Sequence, residues 1–128
     1  MHPDSEEEHQ TDDQVSWLLE MTVKLGELDN LKALIKEMIE STRAERGALN
    51  YQWCISDDNT TVHNFDRYSD SAAAKTHLDG FLANYAGRYM AAVDTTRLSV
   101  YGAPSDEVKE ILNGFGGVYY GLIEGFTR

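Results

Sequence analysis

Residues 49–68, LNYQWCISDDNTTVHNFDRY, carry two strand patterns around a turn. Leu49, Tyr51, Trp53 and Ile55 alternate with Asn50, Gln52 and Cys54, the period-two pattern of a strand with one apolar face. Asp57-Asp58-Asn59 is turn chemistry, and strand composition resumes over residues 60–68. The two runs are expected to pair as an antiparallel hairpin. What stands on either side of this hairpin then decides the fold.

Upstream, apolar residues recur from Leu28 through Leu31, Leu34, Ile35, Met38 and Ile39 to Thr42, with Lys32, Lys36, Glu37 and Glu40 on the polar side. That 3.6-residue spacing predicts a helix running to about Arg46 and stopping at Gly47 as its C-terminal cap. Before it, residues 15–24 (VSWLLEMTVK) set Trp17, Leu19, Met21 and Val23 on one face of a strand. Downstream, Ser69-Asp70-Ser71 offers an N-cap to a second helix with Ala74, His77, Leu78, Phe81 and Leu82 on one stripe. A loop or short helical turn should follow to Asp94, and residues 95–101 (TTRLSVY) read as a further strand.

The order is β-α-β-β-α-β, an α+β ferredoxin-like pattern with two helices covering one face of a four-stranded antiparallel sheet. Gly102-Ala103-Pro104 interrupts the chain, and Ser105 can cap a short helix bearing Val108, Ile111 and Leu112. Residues 118–124 (VYYGLIE) then suggest a last strand. Such a sheet has a second face that its own chain does not cover. Trp17, Tyr51, Trp53 and Tyr68 lie either there or beneath the helices, and a bare aromatic face favours a second copy of the chain.

The chain has 128 residues, a normal size for one domain, and a formal charge of −11. Six of the 22 acidic residues fall within residues 1–14 beside no Lys or Arg, so that stretch reads as a disordered acidic tail. His2 and His9 within it read as bystanders. The remaining sixteen acids against eleven bases leave about −5 and no basic patch, which argues against nucleic acid. No apolar run has membrane-spanning length and no signal-peptide pattern opens the chain, so neither a membrane nor export is expected. The lone cysteine, Cys54, permits no internal disulfide and fits a reducing, cytoplasmic setting.

The run Glu45-Arg46-Gly47-Ala48-Leu49-Asn50-Tyr51, then Asp66-Arg67-Tyr68-Ser69-Asp70, Ala72-Ala73 and His77, resembles the antibiotic biosynthesis monooxygenase domain family. The resemblance covers about residues 15–101, and its motifs speak to fold more than to activity. It implies a dimeric α/β barrel, in which two sheets pack face to face. It also implies a family of cofactor-free oxygenases acting on phenolic polyketides, quinol monooxygenases and haem-degrading enzymes. Relatives that degrade haem carry Asn where this chain has Leu19, Trp where it has His77, and an iron-binding His near Gly87. Haem degradation is therefore not expected. Residues 102–128 extend the same domain beyond the family pattern, as an α-β appendage that either widens the sheet or crosses to another subunit.

His77, alone among apolar neighbours on its helix, is the candidate catalytic base for a phenolic proton. The plainer role is one structural hydrogen bond from a buried imidazole. Tyr51, Trp53, Asn64, Tyr68, Phe81 and Tyr85 are the candidate substrate-binding residues, although aromatics of this kind mostly serve core and interface. Asn64 and Arg67 are candidates to bind a substrate oxygen; equally, Asp66 and Arg67 read as an ion pair between strand and helix. His63 does not share a metal-ligand spacing with His77, no P-loop or GxGxxG is present, and neither metal nor cofactor is expected. The expectation is a cofactor-independent monooxygenase acting on a small phenol or quinol. The alternative is a non-catalytic dimeric module that binds a small aromatic molecule.

Overall fold

The computed structural model describes residues 13–128, so residues 1–12, with His2, His9 and most of the expected acidic tail, lie outside it. Strand β1 (Val15–Val23) leads into helix α1 (Leu28–Arg43), then β2 (Ala48–Ile55) and β3 (Thr61–Tyr68) form the hairpin. Helix α2 (Ser71–Asn84) and the short helix α3 (Ala86–Ala92) follow, then β4 (Val93–Gly102), α4 (Asp106–Asn113) and β5 (Gly117–Tyr120). The sheet order is β2-β3-β1-β4-β5. Its first four strands pair antiparallel, which is the ferredoxin-like βαββαβ arrangement, while β5 runs parallel to β4. A parallel neighbour cannot be joined by a tight turn, and residues 103–116 supply the crossover through α4.

Helix α1 forms where the spacing demands it and buries Leu31, Leu34, Met38 and Thr42 against the sheet. It ends at Arg43 rather than near Arg46, because Glu45 N–H turns back to the Thr42 carbonyl and Ala48 N–H to that of Glu45. Gly47 therefore does not cap the helix. Its role is close approach, since a Cβ there would overlap the Cβ of Ala73 where β2 meets α2. Asp70 is the N-cap of α2, its side chain accepting from Ala73 N–H at 2.8 Å. Ser105 caps α4 in the same way through Val108 N–H.

The core fills the space between the sheet and its helices in two halves that meet at Leu19. One contains Val15, Trp17, Tyr68, Leu78, Leu98 and Val100, and α4 adds Val108 and Leu112 to it. The other joins Met21, Leu31, Leu34, Met38, Val62 and Tyr89. The aromatic residues whose side was open in the sequence thus lie beneath the helices. The opposite face carries Leu18, Phe65, Tyr101, Val118 and Tyr120, with Phe65, Tyr101, Val118 and Tyr120 all exposed. The last strand is shorter than its composition suggests. Beyond Tyr120 the chain leaves the sheet, and Leu122, Ile123 and Phe126 are exposed.

Candidate active site

Strand register sets the site. Tyr51 of β2 faces Asp66 of β3, which faces Trp17 of β1, while one step along Trp53, Asn64 and Leu19 line up. All six point toward the helices because side chains two apart share a face. Ala74, His77, Leu78 and Phe81 meet this row from α2. Between them is a cavity of about 40 Å³, walled also by Leu98 and, from the C-terminal appendage, Leu112 and Phe115. Almost all of its wall is apolar.

His77 stands between two carboxylates in this wall. Its Nδ1 lies 3.1 Å from Glu45 Oε1, in the turn after α1. Its Nε2 lies 3.6 Å from Asp66 Oδ2. Tyr68 donates its hydroxyl to the same Asp66 oxygen at 2.7 Å. The imidazole packs 5.2 Å from the Tyr51 ring and 5.1 Å from that of Tyr68, centre to centre. Burial pushes the Asp66 carboxyl up to about 6, and the neighbouring His77 pulls the other way. The Tyr51 and Tyr68 phenols are both raised well above their ordinary range, by burial first and then by the negative charge of Asp66. Those two tyrosines therefore stay protonated, and Tyr68 serves as a neutral donor to Asp66.

Two buried polar atoms in the described residues have no hydrogen-bond partner, Trp53 Nε1 and Asp66 Oδ1. Both residues line the cavity. Asn64, their neighbour, spends its amide on the Gln52 carbonyl at 3.1 Å.

The sequence candidates divide accordingly. Tyr51, Trp53, Asn64, Phe81 and His77 line the main cavity. Tyr68 does not; it is fully buried behind Asp66. Tyr85 stands apart, in a smaller recess of about 10 Å³ beside Tyr51, His77 and Glu45. The Asp66–Arg67 ion pair expected from adjacency does not form, because consecutive strand residues point to opposite faces. Arg67 instead donates to Asn50 Oδ1 at 2.6 Å and to Gln14 Oε1 at 3.1 Å. Asp66 shares the inward alternation of Val62, Asn64 and Tyr68, and that alternation was the sequence sign of its role. His63 sits on the outer face, 3.5 Å from Glu20. Among the described residues no group of three or more His, Cys, Asp and Glu side chains is placed to hold a metal ion, and no helix is long and apolar enough to cross a membrane.

The antibiotic biosynthesis monooxygenase family model matches residues 15–82. Among solved structures, MupZ from Pseudomonas fluorescens is 22% identical with a TM-score of 0.75, the match spanning 91% of this chain and 95% of that one. Rv0793 from Mycobacterium tuberculosis is 26% identical with a TM-score of 0.62, over 73% of this chain and 96% of that one. SnoaB, a cofactor-independent oxygenase from Streptomyces nogalater, is 18% identical with a TM-score of 0.61, over 73% of this chain and 95% of that one. At such identities MupZ and SnoaB report on the fold alone. No curated protein matches the sequence.

Proposed function

The chain belongs to the antibiotic biosynthesis monooxygenase family, and from that premise we propose that it is a cofactor-independent oxygenase of a small phenolic or quinol substrate. The observation that carries this reading is the Glu45–His77–Asp66 cluster, of which His77 and Asp66 line a mostly apolar cavity and Glu45 stands behind His77 in the neighbouring recess. A phenol entering the cavity loses its proton to this cluster, of which His77 is the hub. The resulting anion is electron-rich enough to reduce O2 directly. A phenol and one O2 yield a quinone and one water, a balance that needs no separate reductant. Tyr51, Trp53, Asn64 and Phe81 shape the pocket around the ring, with Tyr68 holding Asp66 from behind and Tyr85 flanking the His77 recess.

At about 40 Å³ the cavity admits O2 or a water. A single aromatic ring needs roughly 150 Å³. Substrate entry therefore moves the wall, and Phe115, partly buried on the short appendage, is the side chain we take to yield, while Leu112 stays anchored in the core. The test is oxygen uptake with a panel of phenols and quinols. His77→Gln, which keeps a polar side chain of similar length, should lower turnover by about 10²- to 10⁴-fold, the usual worth of a positioned acid–base group. Turnover unchanged in that variant would remove His77 from the chemistry.

A second reading rests on the same geometry. Both His77 nitrogens already face carboxylates, an arrangement that also suits a static ligand-binding module. Tight binding of phenols with no oxygen uptake would select it. In either case the exposed outer sheet face, with Phe65, Tyr101, Val118 and Tyr120, supports a homodimer formed sheet to sheet. Light scattering at micromolar concentration should give twice the 14.4 kDa chain mass, and a well-folded monomer would overturn this assembly.

A further inference from the structure

Burying a hydrogen-bonding atom without a partner is costly, so two such atoms at one cavity call for an occupant. Asp66 is 1% exposed, and while its Oδ2 serves Tyr68 and His77, its Oδ1 is left free. Trp53 Nε1 can only donate, and the Tyr51 hydroxyl beside it does not reach hydrogen-bond geometry. The two residues are diagonal neighbours on β2 and β3, since Trp53 pairs with Asn64 and Tyr51 with Asp66. Both side chains stand on the helix-covered face of the sheet and line the same cavity. One atom donates and the other accepts. A carbonyl oxygen or an ether satisfies the first alone, and an ammonium the second alone. A hydroxyl satisfies both, as does a water, which the hydroxyl of a guest would displace.

We infer that Trp53 Nε1 and Asp66 Oδ1 form a two-point site for a single acidic hydroxyl of the guest, and that Asp66 is the group that takes its proton. This rests on the reading above, that the cavity takes a phenol, and it assigns the atom within the cluster that meets the substrate. The phenolic O–H bond breaks, the proton moves to Asp66 Oδ1, and the oxygen keeps the electron pair while accepting from Trp53 N–H. His77, held by Glu45, is then a positioning residue. It presents its Nε2 to the other carboxylate oxygen and opposes the pull of burial toward a protonated Asp66. Tyr68 fixes the same oxygen, so that Oδ1 alone turns to the guest.

The probe is 4-nitrophenol, whose anion absorbs in the visible and whose neutral form does not. Titrated with the full-length protein at pH 6, it should show more anion when bound than when free. Asp66→Asn, nearly identical in shape, should bind the probe but leave it neutral. Trp53→Phe should weaken binding by about tenfold, the worth of one hydrogen bond to a charged group. In His77→Gln the bound probe should still ionise, but with its midpoint displaced in pH. If Asp66→Asn does not fold, as judged by circular dichroism, the Trp53→Phe affinity decides. Absence of binding at millimolar probe, or ionisation unaffected by Asp66→Asn, overturns the pairing. Ionisation without oxygen uptake keeps the pairing and refutes the oxygenase. Undiminished oxygen uptake in Asp66→Asn does the reverse.

Discussion

Deleting residues 103–128 should leave a chain that no longer unfolds cooperatively. The appendage is short, but Val108 and Leu112 of α4 are fully buried, with Ile111, Phe115 and Tyr119 packed beside them. Each fully buried aliphatic side chain contributes about 1.5–3 kcal/mol. Two of them account for several kcal/mol, and the deletion also opens to water the faces of Leu98, Val100 and Leu78 that they cover. The sum approaches the whole margin of an ordinary domain, about 5–15 kcal/mol. Thermal unfolding followed by circular dichroism should lose its sharp transition. A truncated chain that melts as sharply as the intact one, at a similar temperature, would show the appendage to be an ornament on a complete family domain.

The second large effect concerns pH. An aspartate ordinarily titrates near 3.8, and burial in the folded protein moves Asp66 to about 6. In this window the folded chain holds a proton that the unfolded chain has already released. Stability must therefore fall as pH rises from about 4 to beyond 6, the reverse of the usual acid unfolding. A shift of this size corresponds to about 3 kcal/mol. The groups that face Asp66 are Tyr68 on its own strand, Tyr51 on β2, His77 on α2 and Glu45 after α1. His77 opposes the shift most, and the hydrogen bond from Tyr68 and the amide of Asn64 on its own strand oppose it as well, while Glu45 adds to it. Urea unfolding of the intact protein and of Asp66→Asn at pH 4.5 and at pH 7.5 isolates the effect. The variant should gain on the parent by about 2 kcal/mol between the two conditions, since pH 4.5 already lies above the unfolded value. A constant difference would mean that Asp66 stays ionised throughout.

Much of this molecule is legible in its sequence because two periodicities hold across long stretches. The stripe from Leu28 to Thr42 and the alternation on both sides of Asp58 fix one helix and one hairpin, and their order fixes the ferredoxin-like core. Ends were less legible. α1 stops three residues short of Arg46, α3 is a distinct helix, β4 begins at Val93, and the last strand ends at Tyr120, because local turns and neighbours decide where pairing stops. His77 stands out in the sequence as a lone polar residue on an apolar stripe. Asp66 was obscured by Arg67 beside it, although adjacency on a strand separates side chains rather than joining them. Leu112 and Phe115 carry no local sign of their role. They reach the cavity only because a parallel strand forces the chain back across the helix layer.

That parallel strand has a consequence in time as well as in space. β5 is four residues long and lies at the edge of the sheet, so it is held by less than the strands inside it, while Val108 and Leu112 anchor the crossover helix in the core. A short edge strand opens more often by local unfolding than the strands it borders. Entry and escape through that wall are then first-order events of the protein itself, with a ceiling that no excess of ligand can raise. The dwell time of a guest and the exchange of the β5 amides with solvent would keep the same clock.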